Sequence, residues 1–200
     1  MNPSCSGVIL AGGLSTRFDG ANKAFFDLGG RRVIEPVISV FQCIFNEILL
    51  VTNDPLKYLP WDLNLVTDLF DLKSSLTGIH AGLFYAANPY IFVAACDTPF
   101  IRKSVVELVL SEIEPGVAAV MPETPSGTEP LFAAYSTDAL PVVERHVRQR
   151  KFKIQRVFQN LGIKKIPAAR VMAIDPELET FFNINTAEDL AFARARLEGE

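Results

Sequence analysis

Three features of this 200-residue sequence predict an α/β fold with a doubly wound, mostly parallel sheet and helices on both faces. Apolar runs of strand length alternate with stretches whose apolar residues recur at helical spacing, the order that builds a parallel sheet. The first run breaks directly into Gly12-Gly13 and the fourth ends on Asp97, as strands do where they deliver ligand-binding groups to the open edge of such a sheet. A hydrophobic share of 49% is enough for one sizeable core, so residues 1–200 read as a single domain.

Taken in order, residues 8–11 form a short apolar strand of the kind covered on both faces. Val33, Ile34, Val37, Ile38, Phe41 and Phe45 then mark one face of a first helix. Residues 48–52 and 63–67 read as the second and third strands, 78–87 as a helix and 90–95 as a fourth buried strand. Over 102–113, Val105, Val106, Val109, Leu110 and Ile113 define the buried face of the next helix. Strands are expected over 117–121 and 131–135, on either side of the turn-rich 122–130, and helices over 137–148 and 153–161. Thr186-Ala187-Glu188-Asp189 has the form of a capping box ahead of Leu190, Ala193 and Leu197, so a last helix starts there.

Several function classes are disfavoured by composition. The formal net charge of −4 argues against bulk attraction to nucleic acid or an anionic membrane. No apolar run approaches the roughly 18 residues of a membrane span, and residues 1–7 lack the regions of a secretory signal, so a soluble, cytoplasmic protein is expected. Cys5, Cys43 and Cys96 have neither metal-ligand spacing nor the even number of a disulfide framework.

The loop after the first strand carries the chemistry. Paired glycines allow a tight turn and close approach of backbone N–H groups to a ligand, and Arg17 and Lys23 add positive charge. Gly12-Gly13 alone reads equally well as an ordinary turn; with the two cations, a polyphosphate site is the better reading. No Gly-Lys pair occurs in the chain, which excludes a Walker loop, and adjacent glycines do not fit the dinucleotide fingerprint. Asp97 follows the apolar Tyr90-Ile91-Phe92-Val93-Ala94-Ala95-Cys96, where an ionised carboxylate needs exposure or a cation; Mg²⁺ shared with phosphates fits, and so does a capping role in the Asp-Thr-Pro turn. Asn183 and Asn185 flank Ile184 and share a face in an extended segment, where they offer two neutral oxygens to a metal or phosphate; the competing reading is that Asn185 serves only to start the last helix.

Leu10-Ala11-Gly12-Gly13 followed by Ser15, Arg17, Gly20 and Lys23-Ala24 resembles the signature of nucleotidyltransferases that share the molybdenum cofactor guanylyltransferase fold. Cys96-Asp97-Thr98-Pro99-Phe100 and the segment from Phe182 to Leu190 are similar to the central and C-terminal motifs of that family. The resemblance spans almost the whole chain and implies a Rossmann-like nucleotidyltransferase with Mg²⁺ as cofactor. It implies GTP as one substrate and molybdopterin or its molybdenum-loaded form as the other, with transient contact to cofactor-biosynthesis proteins or molybdoenzymes. By the same resemblance, Arg17, Lys23 and Asp97 are catalytic, and Asp97, Asn183 and Asn185 hold the metal. The nucleotide is assigned to Leu10, Ala11, Gly12, Gly13, Lys23, Asn53, Asp68, the Leu76-Thr77-Gly78 turn and Asp97. The pattern departs from the family at Asp19, which intervenes before Gly20 and either points to solvent or lies near the phosphates. A CTP- or sugar-phosphate-using relative and a non-catalytic nucleotide-binding protein of this fold remain as alternatives.

Charge patterning adds one observation. Between Arg145 and Arg170 no acidic residue occurs, yet Arg145, Arg148, Arg150, Lys151, Lys153, Arg156, Lys164, Lys165 and Arg170 are all basic. The stretch reads as a docking site for an anion, for which the resemblance proposes the phosphorylated pterin, or as a solvated helix face. Attack by the pterin's terminal phosphate on the α-phosphorus of GTP needs no general base, because a phosphate monoester with a second pKa of about 6 is largely ionised near neutral pH. This agrees with a chain whose two histidines, His80 and His146, lie beside no nucleophile signature.

Overall fold

Ser6, Gly7, Val8 and Ile9 are buried in succession, and the strand they belong to, β1 (Cys5–Leu10), is the axis of the sheet. In this computed structural model, which describes residues 4–12 and 22–198, β1 pairs in parallel with both β2 (Ile48–Val51) and β4 (Tyr90–Ala95). β3 (Asn64–Val66) adds in parallel to β2. Beyond β4 the direction reverses. There β7 (Phe132–Ser136) runs antiparallel to β4, and β5 (Ala119–Thr124) antiparallel to β7. β8 (Ile163–Ile166) joins β5 in parallel, and β6 (Gly127–Thr128) forms a hairpin with β5. The spatial order is β3-β2-β1-β4-β7-β5-β6, with β8 beside β5.

The period-two alternation of the strands divides the core into two layers. Ile9, Leu50, Phe92 and Ala94 face α1 (Glu35–Gln42), α3 (Lys103–Ser111) and α6 (Ala168–Met172). Val8, Leu49, Val51, Ile91 and Val93 face α2 (Ser75–Tyr85), α4 (Leu140–Arg148) and α5 (Ile154–Phe158). A smaller cluster of Leu28, Val33, Ile184 and Ala193 seats α7 (Ala187–Glu198) against the chain that precedes α1.

The doubly wound architecture expected from the sequence is present, with antiparallel pairings inserted beyond β4. The helix expected over 78–87 begins at Ser75, because the Ser74 side chain accepts the Leu76 N–H at 3.1 Å and caps the first turn. Leu76, Thr77 and Gly78 are therefore helical and do not form the turn expected there. β8 and α6 were not anticipated: β8 reads Ile-Lys-Lys-Ile, and its lysines face acids on neighbouring segments.

Gly7 is required by packing. A Cβ there would stand 2.6 Å from the Phe41 ring and 2.7 Å from the Phe45 ring, whose centroids lie 5.0 Å apart. The rings cannot yield without disturbing Phe92, which lies 5.8 Å from Phe41 and 5.9 Å from Phe45. Gly7→Ala is expected to cost about 1–3 kcal/mol through overpacking, read as a lowered denaturant midpoint with an unchanged slope.

Candidate active site

Two backbone hydrogen bonds carry the sheet ladder one step past the end of β1. The Ala11 N–H donates to the Val51 carbonyl at 2.9 Å, and the Cys96 N–H donates to the Leu10 carbonyl at 3.0 Å. Gly12, Asn53 and Asp97 consequently emerge along one edge of the sheet, at the carboxyl ends of its parallel strands. The Ile184 N–H donates to the Asp97 carbonyl at 3.0 Å, and the Ile184 side chain is fully buried, so residues 183–185 are drawn onto the same edge. Asp189 secures them from below: its Oδ2 accepts the N–H groups of Asn185 and Thr186, each at 2.8 Å, while its own N–H donates to Thr186 Oγ1 at 3.1 Å. This is the reciprocal cap expected at the start of α7.

The Lys23 ammonium bridges the groups thus assembled. Its Nζ lies 3.3 Å from Asp97 Oδ2 and 3.0 Å from Asn185 Oδ1. Both charged side chains are shielded, with 16% of Lys23 and 18% of Asp97 exposed. Burial pushes the Asp97 carboxyl above its ordinary pKa, and Lys23 opposes that rise through its charge and hydrogen bond. Asn183 Nδ2 donates to the Phe181 carbonyl at 2.9 Å.

These residues border a cavity of about 490 Å³ that extends from Asp97, Asn183 and Asn185, past Leu10 and Gly12, to Asp68 and Gly78. At the far wall Asn53 Nδ2 donates to Asp68 Oδ2 at 3.0 Å, and the Asp68 N–H donates to Asn53 Oδ1 at 3.3 Å. Asp68 Oδ1 is shielded from solvent and, among the described residues, meets no donor at hydrogen-bonding geometry. The nearby Thr77 hydroxyl is engaged by the carbonyls of Leu72 and Ser74. Burial raises the Asp68 pKa, against the lowering effects of Asn53, Thr77 and His80. A Cβ at Gly78 would approach Leu10 Cδ2 to 3.0 Å, so glycine lets α2 lie close to the end of β1.

Of the residues expected in the site, Leu10, Gly12, Asp68, Gly78, Asp97, Asn183 and Asn185 line the cavity, and Lys23 reaches it through Asp97. Ala11, Leu76 and Thr77 are buried behind it, and Asn53 acts on it through Asp68. Gly13 and Arg17, together with Ser15, Asp19 and Gly20, lie outside the described residues. Lys73, Ser74 and Ser75 also line the cavity and were missed; their signal in the sequence is a polar Lys-Ser-Ser step immediately before an apolar helix.

Four cations of the basic stretch pair with glutamates, and one of them, Lys165, also borders a second cavity. Arg148 pairs with Glu144, Lys164 with Glu112 and Glu114, Lys165 with Glu123 and Arg170 with Glu112. Lys153 and Arg156 instead border a shallower cavity of about 340 Å³, with Thr128, Gln155, Gln159 and Lys165. His80 is buried between Phe70 and Phe84, and burial lowers its pKa. His146 Nδ1 lies 2.9 Å from the Val142 carbonyl in its own helix.

A half-parallel sheet whose strand ends share one cavity with a lysine–carboxylate pair has the architecture of the α/β nucleotidyltransferases, and solved structures of that class superpose on the chain. The chain belongs to the MobA-like NTP transferase domain family, whose profile matches residues 7–165. It is 45% identical over 193 residues to a molybdenum cofactor guanylyltransferase of Desulfosudis oleivorans, with 96% of each chain covered. It also resembles the crystal structure of molybdopterin-guanine dinucleotide biosynthesis protein A from Archaeoglobus fulgidus at 30% identity and a TM-score of 0.85, covering 98% of this chain and 100% of that one.

Among the described residues no cluster of three or more His, Cys, Asp and Glu gathers, and no helix is long and apolar enough to cross a membrane. The donors near Asp97 are one carboxylate and two amide side chains, a hard-oxygen set that suits a cation sharing its shell with substrate phosphates.

Because burial raises its pKa, Asp97 binds a proton more tightly in the folded chain than in the unfolded one. The resulting penalty is full above the folded pKa and is relieved as pH falls through it toward the ordinary aspartate range. The stability of the parent relative to Asp97→Asn is therefore expected to rise as pH falls from 7 toward about pH 4, on top of a pH-independent loss in the variant from leaving Lys23 without its counter-charge; paired denaturant melts across that interval measure it.

Proposed function

We propose that this protein transfers GMP from GTP to the terminal phosphate of molybdopterin. A pterin phosphate oxygen bonds to the α-phosphorus, the α–β bridging bond breaks, and pyrophosphate leaves as the phosphoanhydride of molybdopterin guanine dinucleotide forms. The observation that carries the reading is the convergence of Lys23, Asp97 and Asn185 at one end of a cavity whose other end presents the Asn53–Asp68 pair. The family and the two relatives described above supply the reaction class and the substrates.

On this reading the cavity separates two tasks. Asp68, held by Asn53, offers a shielded carboxylate oxygen to the ring N–H and exocyclic amine of guanine. Lys23 neutralises charge on the phosphates, most strongly as it builds on the departing pyrophosphate. Asp97, with the amide oxygens of Asn183 and Asn185, would hold Mg²⁺, which when bound supplies further charge stabilisation to the phosphates. Alignment of the two reacting phosphates at the strand ends is the main requirement of a transfer whose nucleophile is already ionised.

We assign the acceptor to the second cavity. β5 and β8 run parallel, β7 opposes both β4 and β5, and Ala94 lies across from Phe132. Thr128, opposite Glu123, therefore lies toward the same edge of the sheet as Asp97, and Lys165, opposite Met121, lies further back along β8. Lys153 and Arg156, which border the same cavity, give it cations suited to a phosphate.

Pyrophosphate release measured with GTP, CTP and ATP tests the reading. GTP is expected to support turnover well above the other two, and Lys23→Ala and Asp97→Ala to lower it by about 100-fold or more in folded protein. Equal use of CTP would move the chain to another branch of the fold, and unchanged Mg²⁺-dependent turnover in Asp97→Ala would remove the metal assignment. A second measurement addresses the acceptor: Lys153→Ala with Arg156→Ala is expected to raise the KM for the pterin by about 10-fold while leaving the KM for GTP within about twofold.

A further inference from the structure

Tyr58 belongs to none of the motifs described above. It sits in a 3₁₀ segment, Pro55–Trp61, that follows β2, and it is fully buried. Its ring packs against Phe25 at 4.9 Å and Trp61 at 5.9 Å between centroids. Its hydroxyl donates to the Ala11 carbonyl at 3.2 Å and accepts from Asn22 Nδ2 at 2.8 Å. The other end of the Asn22 amide, Oδ1, accepts the Ala24 N–H at 3.0 Å and caps the short 3₁₀ turn Lys23–Phe25.

The polarity of this chain is fixed. Burial pushes the Tyr58 phenol far above its ordinary pKa, so its proton remains available to the Ala11 carbonyl. With that proton committed, the oxygen is left to accept from Asn22. One hydroxyl thereby connects the residue just before Gly12 with the residue just before Lys23.

We propose that Tyr58 is a positioning residue for Lys23. A lysine side chain has many rotamers, so its ammonium is only as well placed as the backbone from which it extends. A three-residue 3₁₀ turn does not hold itself in place. Through Asn22, the Tyr58 hydroxyl sets the origin of the Lys23 side chain relative to the end of β1. The ammonium then reaches Asp97 Oδ2 and Asn185 Oδ1 together. The inference rests on the role proposed above for Lys23, and it assigns the hydroxyl a function separate from the packing of the ring.

Tyr58→Phe separates the two, because it keeps the contacts with Phe25 and Trp61 and removes only the oxygen. The expected result is a fall of about 10-fold in GTP-dependent turnover, with the acceptor KM within about twofold of the parent. Asn22→Ala, which leaves the aromatic cluster intact, is expected to reproduce that fall. Combined with Lys23→Ala, Tyr58→Phe should add no further loss in turnover or in equilibrium GTP affinity, since it acts through the residue already removed. Parental kinetics in Tyr58→Phe, or losses that simply add to those of an impaired Lys23→Ala, would overturn the inference and leave the proposed reaction standing. Parental activity in Lys23→Ala would overturn both.

Discussion

Asp97 follows a strand in which Tyr90 to Ala94 are buried without interruption, so its carboxylate loses much of the hydration an ionised group requires. Lys23 supplies the compensating charge, although it is 74 residues away in sequence. The pair is mutual: without Asp97 the shielded ammonium would lose its counter-charge, and without Lys23 the carboxylate would be driven toward its neutral form. The structure must therefore bring two distant segments to one point and hold them there. Most of the surrounding hydrogen bonds serve that requirement.

The holding bonds enter from three directions, two of them through the backbone. The ladder extended by Ala11 and Cys96 fixes the ends of β1 and β4 relative to each other. The bond from Ile184 to the Asp97 carbonyl fastens the C-terminal segment, which Asp189 keeps in shape. Tyr58 and Asn22 fasten the stem from which Lys23 extends. Main-chain bonds within a sheet resist displacement far better than flexible side chains do, so a charged pair mounted in this way is preorganised before any ligand arrives.

How much of this was legible depended on whether the signal was local. Residues 90–95 form an uninterrupted apolar strand and were placed without error, and the start of α7 was readable because Thr186 and Asp189 are three residues apart. Lys23, Asp97 and Asn185 were each visible as motif residues, but their meeting depended on tertiary contacts that spacing alone cannot display. The basic stretch shows the same difficulty in reverse. Nine cations without an intervening acid look like a single anion surface, yet Lys164, Lys165 and Arg170 meet glutamates from elsewhere in the chain. β8 escaped notice for a related reason, since two lysines in a four-residue strand hide its apolar ends. Tyr58 gave no signal beyond an aromatic residue between two prolines.

Base choice does not follow from the fold, since one fold hosts many activities. On the proposed reading it arises from particular groups on the wall beside β2 and β3. Asn53 occupies one oxygen of Asp68 and leaves the other shielded and, among the described residues, without a donor at hydrogen-bonding geometry. A buried acceptor in that condition carries a desolvation cost that a ligand with matching N–H groups relieves, and one lacking them does not. Guanine presents such groups on one edge and cytosine presents a different pattern. On the proposed reading, the unpartnered oxygen of Asp68 is thus the element of the wall that discriminates, and Asn53 contributes by fixing its orientation while leaving it free.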